Sequence, residues 1–277
     1  MSRSRTRIGV VAPASRISRE LADETGRLAE RLYPGVELYF HPQCFLTSGH
    51  FAGSDAERAQ AFLDVANDPD IDVVWFARGG YGSGRIAEQA CASLQAAARA
   101  KTYLGYSDLG FMLAGLYKQG CRAVHGPMPA DLKRAGGDAA VARALRYLVE
   151  RAPDTLEPGI SAGAPQAAFN ITVLSHLLGT PLEPDLSGHV LMLEDVSEHV
   201  YRIDRAMFHI AASANIRGVA GIRLGRISDV PPNDPEFGLD EEEVVRHWCG
   251  AAGIAYLGRA DIGHDVANKI VPFGWSR

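Results

Sequence analysis

Residues 71–119 read IDVVWFARGGYGSGRIAEQACASLQAAARAKTYLGYSDLGFMLAGLYKQ, and this stretch decides the fold. Two short apolar runs, 71–77 (IDVVWFA) and 102–106 (TYLGY), each stop at a turn rich in Gly or Ser and give way to an amphipathic segment. In the second segment Leu109, Met112, Leu113, Leu116 and Tyr117 fall at the i, i+3, i+4, i+7, i+8 positions of one helix face. Strand, turn, helix, repeated, is the pattern of β-α-β units, because neighbouring parallel strands need a crossover and a helix usually supplies it.

The same alternation extends toward the N-terminus, with strands at 7–12 (RIGVVA) and 35–40 (GVELYF) and helices over 18–32, 55–67, 84–98 and 108–119. A further helix, roughly 137–151, closes this half. Residues 152–168 (APDTLEPGISAGAPQAA) are rich in Pro, Gly and Ala without a sustained period, so they read as a linker. Beyond them the pattern predicts a helix at 171–178, a strand at 189–193, a helix at 201–212, strands near 219–227 and 254–258, and a terminal strand near 269–273. The division expected is therefore an N-terminal α/β domain over 1–151 and a C-terminal domain over 169–277. No internal repeat interrupts either.

Bulk properties narrow the function. A chain of 277 residues with 47% hydrophobic and 22% charged residues can bury one large or two modest cores. The formal charge of −5 and the lack of a Lys/Arg block argue against a nucleic-acid partner and favour a small substrate. The apolar run at 8–13 is shorter than a signal-peptide core of roughly 7–15 residues, and no stretch approaches the ~20 apolar residues of a membrane span. Cys44, Cys91, Cys121 and Cys249 lack CxxC spacing and read as reduced, buried thiols, which fits a cytoplasmic location. No HExxH motif or His/Cys cluster suggests a metal, and no cofactor is called for.

Four places could carry chemistry. Gly105-Tyr106-Ser107-Asp108 lies where a strand ends and a helix begins, so Ser107 reads as a nucleophile on a sharp turn, with the following N–H groups and the helix dipole favouring negative charge there. A Ser before a helix is ordinarily its N-cap, and Leu109 replaces the second Gly of G-x-S-x-G. Arg78-Gly79-Gly80-Tyr81-Gly82-Ser83-Gly84 follows the preceding strand and should open on the same sheet edge, as an oxyanion loop, a dinucleotide cradle or a plain turn; the acidic residue a dinucleotide site needs is missing. Glu194-Asp195 ends an apolar run, where a strand terminus is the ordinary explanation of a carboxylate. His264 sits in a loop with Gly263, where a solvent-facing His is commonplace. Ser, acid and His occur in the chain order of the α/β-hydrolases, and a hydroxyl needs a neutral imidazole, oriented by a carboxylate, to become a nucleophile.

Eight blocks in order resemble the LD-carboxypeptidases of serine peptidase family S66, which include microcin-C immunity proteins. They are IGVVAPAS (8–15), FAGSDAERAQAF (51–62), ARGGYGSGRI (77–86), GYSDLG (105–110), HGPM (125–128), NITVLSHLLGTP (170–181), LEDVSEHVYRIDR (193–205) and GHDVANKIVPFG (263–274). The resemblance implies an α/β chain with an N-terminal Rossmann-like parallel-sheet domain and a smaller, β-rich α+β C-terminal domain. It also implies Ser107 as nucleophile, Glu194 as the acid and His264 as the base, with N–H groups near Gly80 and Asp108 as oxyanion hole. The implied reaction is release of terminal D-Ala from a cytoplasmic murein tetrapeptide, without metal or cofactor, by a homodimer.

An immunity-type hydrolase of aminoacyl-nucleotide analogues is the nearest alternative, and a non-catalytic nucleotide-binding protein a more distant one. Three departures bear on the substrate: Ala168-Phe169-Asn170 where relatives often read Gly-Gly-Asn, a 152–168 segment without Trp, and an end at Trp275-Ser276-Arg277 soon after PFG. A carboxypeptidase must also hold a free carboxylate. Arg78, beside the glycine loop, and Arg202, Arg205 and Arg223 in the second half are the candidates for this, which the sequence does not rank; a structural salt bridge is the ordinary role of each, and backbone N–H groups at a helix start are the alternative.

Overall fold

The structure, a computed structural model, describes residues 6–160 and 163–274. The start of the chain, the 275–277 end and residues 161–162 of the expected linker lie outside the described residues. In chain order the elements of the first half are β1 (Thr6–Val11), α1 (Arg19–Leu32), β2 (Val36–Phe40), α2 (Asp55–Asn67), β3 (Val73–Phe76), α3 (Gly84–Ala92), α4 (Ala96–Arg99), β4 (Thr102–Gly105), α5 (Gly110–Lys118), β5 (Arg122–His125) and α6 (Gly137–Glu150). The second half contributes β6 (Gln166–Asn170), α7 (Ile171–Leu177), β7 (Val190–Val196), α8 (Val200–Ala212), α9 (Ala214–Arg217), β8 (Gly221–Ser228), α10 (Glu241–Ala252), β9 (Tyr256–Arg259) and β10 (Val271–Pro272).

Six strands form one sheet in the order β10-β5-β4-β3-β1-β2, parallel except for β10, which pairs antiparallel with β5. Strands β3 and β4 are buried along their whole length, so they show continuous apolar character rather than alternation, as a sheet covered on both faces requires. Local signals start the helices: Ser18 accepts the Leu21 N–H at α1, and Ser54 and Glu57 form a reciprocal capping box at α2. The second sheet, β6-β7-β8-β9, is wholly parallel, with α7 and α10 both packed on α8. One continuous core joins the two halves, with Leu109 and Leu113 of the first and Phe169, Leu174 and Leu193 of the second in the same buried cluster. That continuity fixes residues of one half against residues of the other.

The structure differs from the sequence reading in five places. The helix expected over 84–98 breaks at Ser93–Gln95, where Gln95 is extended and its N–H is taken by Asn67 Oδ1 at 2.9 Å. The 152–168 stretch is not structureless: β6 begins at Gln166, a fully buried five-residue strand (QAAFN) with no alternation of apolar and polar faces to mark it. Four-residue β5 was too short to stand out, and α10 was overlooked although Asp240 and Glu243 form a capping box. Finally, β10, which the division at 152–168 assigns to the second half, hydrogen-bonds into the first sheet, and Gly274 beside it bridges to Gln166 of the second.

Candidate active site

The first sheet runs β2-β1-β3-β4, so the connections after β1 and β3 diverge to opposite sides and leave a crevice at the carboxyl ends of the strands. The glycine loop after β3 and the turn after β4 meet there. A Cβ placed on Gly79 would lie 2.9 Å from Ser107 Oγ, and one on Gly80, whose φ is +106°, would lie 2.3 Å from Ser15 Oγ in the loop after β1. Only glycine fits this close approach. Arg58, fully buried, fastens the two loops by donating to the carbonyls of Pro13 and of Gly82 (2.8 Å).

Ser107 is not a helix cap. It has φ +63°, a left-handed conformation that costs a non-glycine residue on the order of 1–3 kcal/mol, and Tyr106 before it is extended. The strain is held by what surrounds it. The Asp108 carboxylate accepts the Ser83 N–H at 2.8 Å, and Ser83 Oγ–H donates to the Asp108 carbonyl at 2.6 Å. Burial raises the Asp108 pKa, although hydrogen bonds from Ser83 and Gly82 pull the other way. The side chain of Asp108 thus locks the turn, and no hydrogen bond among the described residues engages the backbone N–H of Gly80 or of Asp108.

The second half delivers the partners. Glu194 and Asp195 are both buried, at 0% and 2% exposure, where the β7–β8 register shifts between Leu193 and Asp195. An irregularity of this kind re-aims side chains. Gly225 leaves room for it, since a Cβ there would meet Glu194 Cβ at 3.0 Å. Asp195 spends itself on structure, accepting from Asn170 Nδ2 (2.7 Å), Thr172 N (3.0 Å), Thr172 Oγ1 (2.9 Å) and Val196 N (2.8 Å). Glu194 Oε2 instead faces His264 Nδ1 at 2.5 Å, and its Oε1 is buried with no hydrogen-bond partner among the described residues. A carboxylate only accepts, so Nδ1 carries the hydrogen and Nε2 presents its lone pair to the Ser107 hydroxyl, 2.9 Å away. Burial opposes charge on His264, yet the charge and hydrogen bond of Glu194, with Asp195 and Asp131 beyond, leave its pKa raised above 6.5. The set Ser107, His264 and Glu194 can activate a hydroxyl and shuttle its proton.

Behind the set lie residues that the sequence reading quoted only inside blocks or passed over. Asn268 Oδ1 accepts from Gly263 N (3.2 Å) and His125 Nε2 (3.1 Å), which holds the His264 loop to β5. Burial pushes the His125 pKa down to about 4, so it is a neutral strut. The Tyr106 ring lies 4.9 Å from that of His264, and its hydroxyl donates to Asp131 at 2.7 Å. Two recesses open at Ser107. The larger, about 710 Å³, lies between the halves and includes Gly80, Asp108, Asn170, Thr172, Asp195 and Glu198; the smaller, about 340 Å³, includes Arg78, Tyr106 and His264. Phe169 does not reshape this cleft, being turned into the core against Phe273 at 5.1 Å. Of the other arginines, Arg202 and Arg205 line an adjoining recess that shares Thr172, His176 and Glu198 with the larger one, Arg202 being paired with Glu198 at 3.5 Å, and Arg223 is paired with Glu157 at 2.7 Å. Among the described residues no His/Cys/Asp/Glu group could hold a metal ion, and no helix is long and apolar enough to cross a membrane.

Comparison with known proteins places this arrangement. The model of the LD-carboxypeptidase N-terminal domain matches residues 8–126 and that of the C-terminal domain matches 167–276, so the chain belongs to the LD-carboxypeptidase family. A Synechocystis sp. relative with a provisional carboxypeptidase name is 36% identical over 97% of this chain and 89% of its own length. The murein tetrapeptide carboxypeptidase of Pseudomonas aeruginosa is 27% identical over 97% of this chain and 91% of its own. The crystal structure of muramoyltetrapeptide carboxypeptidase from Oxalobacter formigenes superposes with a TM-score of 0.80 at 25% identity, covering 97% of this chain and 95% of that one.

Proposed function

We propose that this protein is a serine-type LD-carboxypeptidase that releases the terminal D-alanine of a murein tetrapeptide by cleaving the amide at the L-centre of meso-diaminopimelate, in cytoplasmic peptidoglycan recycling and as a homodimer. The observation that carries the reading is the unbroken chain from Ser107 Oγ through His264 to buried Glu194, set at a cleft between the halves of an LD-carboxypeptidase family member. Ser107 Oγ attacks the scissile carbonyl while His264 Nε2 takes its proton. The tetrahedral oxyanion is received by the N–H groups of Gly80 and Asp108, which have no partner of their own among the described residues. His264 returns the proton to the amine of D-alanine as the C–N bond breaks, and water, activated by the same imidazole, frees the acyl peptide.

The test is incubation of the purified protein with murein tetrapeptide and, separately, with an aminoacyl-sulfamoyl adenosine. Free D-alanine and tripeptide are expected from the first, and Ser107→Ala should abolish both products. Cleavage of the second compound alone would replace the proposal by the immunity-type reading. Sedimentation of the protein tests the dimer, and cell fractionation tests the location.

A further inference from the structure

Ser107 stands at the junction of two recesses of unlike charge, and this sets which way a substrate lies. The larger contains the carboxylates of Glu88, Asp195 and Glu198, the last paired with Arg202 at 3.5 Å, while its cation, Arg85, is paired with Asp55 at 2.7 Å. The smaller contains Arg78, Lys133 and Arg134 against one carboxylate, Asp131. It has about half the volume of the other, and both His264 and Ser107 border it. A recess that is small, basic and beside the imidazole suits a leaving amino acid with a free carboxylate, which must take its proton from His264. The acidic, larger cleft suits the acyl peptide and any free ammonium it bears.

We propose that the leaving D-amino acid occupies the recess of Arg78, Lys133 and Arg134, and that Arg134 is the residue that reads its carboxylate. The inference rests on the carboxypeptidase reading and adds the direction of the substrate and a residue that the sequence did not single out. Arg134 is the best placed of the three cations. Its Nε is held by Asp131 at 3.1 Å, and Asp131 is itself anchored by Met128 N (2.9 Å) and Tyr106 Oη (2.7 Å). Tyr106 adjoins Ser107 in the chain and packs on His264, so the guanidinium is positioned by the same residues that set the reacting atoms. Asp131 is its one ion-pair partner among the described residues, and a planar fork held on one side can still take a carboxylate on the other. Arg78 and Lys133 form no ion pair among the described residues and supply long-range attraction, Arg78 being tied only loosely to the Arg16 carbonyl at 3.4 Å.

The experiment compares kcat/KM for the tetrapeptide acid and for its C-terminal amide. The wild type should prefer the acid at least tenfold, and Arg134→Gln should lower this preference at least tenfold, with Arg134→Lys in between. Equal loss on both substrates would make Arg134 a mere support of Tyr106 and overturn the proposal, as would an unaltered preference. Should Arg134→Gln fail to fold, wild-type product inhibition decides: D-alanine should inhibit at least tenfold more strongly than D-alaninamide, and equal inhibition refutes the assignment. Loss of acid preference in Arg85→Gln, with Arg134→Gln silent, would mean the reverse orientation and overturn the proposal. A wild type that reacts with a fluorophosphonate at Ser107 but releases D-alanine from no peptide would defeat the underlying carboxypeptidase reading instead.

Discussion

Replacing Glu194 by Gln removes one charge from a fully buried position, and the hydrogen bonds around it fix the cost. The side chain has two ways to sit. If its amide nitrogen faces His264 Nδ1, two donors meet at the 2.5 Å contact, and the imidazole must switch tautomer, which places a hydrogen on Nε2 and leaves Ser107 without a base. If its oxygen faces Nδ1, the amide N–H₂ occupies the buried site of Oε1, where no partner waits, at a cost of about 1–3 kcal/mol. In either pose no charge balances the imidazolium as it forms. The expected loss in kcat is about 10³–10⁴, or roughly 4–5.5 kcal/mol at about 1.36 kcal/mol per decade, with little change in KM.

Two pH profiles check the reasoning. In the wild type, kcat/KM should rise with pH through an apparent pKa above 6.5, because the reaction needs neutral His264 and Glu194 favours the charged form. The stability that this raised pKa contributes is fully present below the unfolded-state value near 6.5 and is lost as pH rises through the folded value, so it fades as activity appears. In Glu194→Gln only burial and the more distant carboxylates remain, and the residual activity should turn on at lower pH. The control is Asp195→Asn, whose four hydrogen bonds cap α7 and the end of β7; it should cost stability before chemistry. A Glu194→Gln enzyme within tenfold of wild type, or with an unmoved acidic limb, refutes the assignment.

Gly80→Ala should lower kcat by about 10²–10³, since a Cβ at 2.3 Å from Ser15 Oγ in a residue of φ +106° must displace the loop that carries the proposed oxyanion donor; activity within threefold of wild type would remove Gly80 from the mechanism. Arg58→Met strips two buried carbonyls of their donor and should cost about 3 kcal/mol in urea unfolding, with a slower reaction of Ser107 toward fluorophosphonates; a change below about 1 kcal/mol would mean that the loops hold themselves. Burial pushes the Cys44 and Cys91 thiols up to about 12 and that of Cys249 to about 11, so iodoacetamide at pH 8 should leave activity intact while a serine-directed probe abolishes it. Inactivation by iodoacetamide would point to a thiol at the site.

The sequence by itself determined what local patterns can encode. Alternation of apolar runs with helical periods in 71–119 sufficed for a parallel α/β sheet, and the strand-to-helix turn at Gly105–Asp108 marked Ser107. Motif blocks supplied Glu194 and His264 as partners. Where local pattern was silent, as in the short, fully buried strand β6 or the four-residue β5, packing on both faces made the strand, and no period records that. The tertiary structure supplies the physical reason that sets Glu194 apart from Asp195, adjacent and also buried: an irregular strand turns Glu194 toward a loop 70 residues away. It alone showed that Ser107 is left-handed rather than a cap, because that conformation is imposed by the glycine loop and the Ser83 clamp. The same holds for Arg134, an ordinary loop arginine in the sequence. Its surroundings come from helical and loop segments spread from residue 17 to residue 264, and charge in a recess is a property of that convergence, not of any stretch of chain.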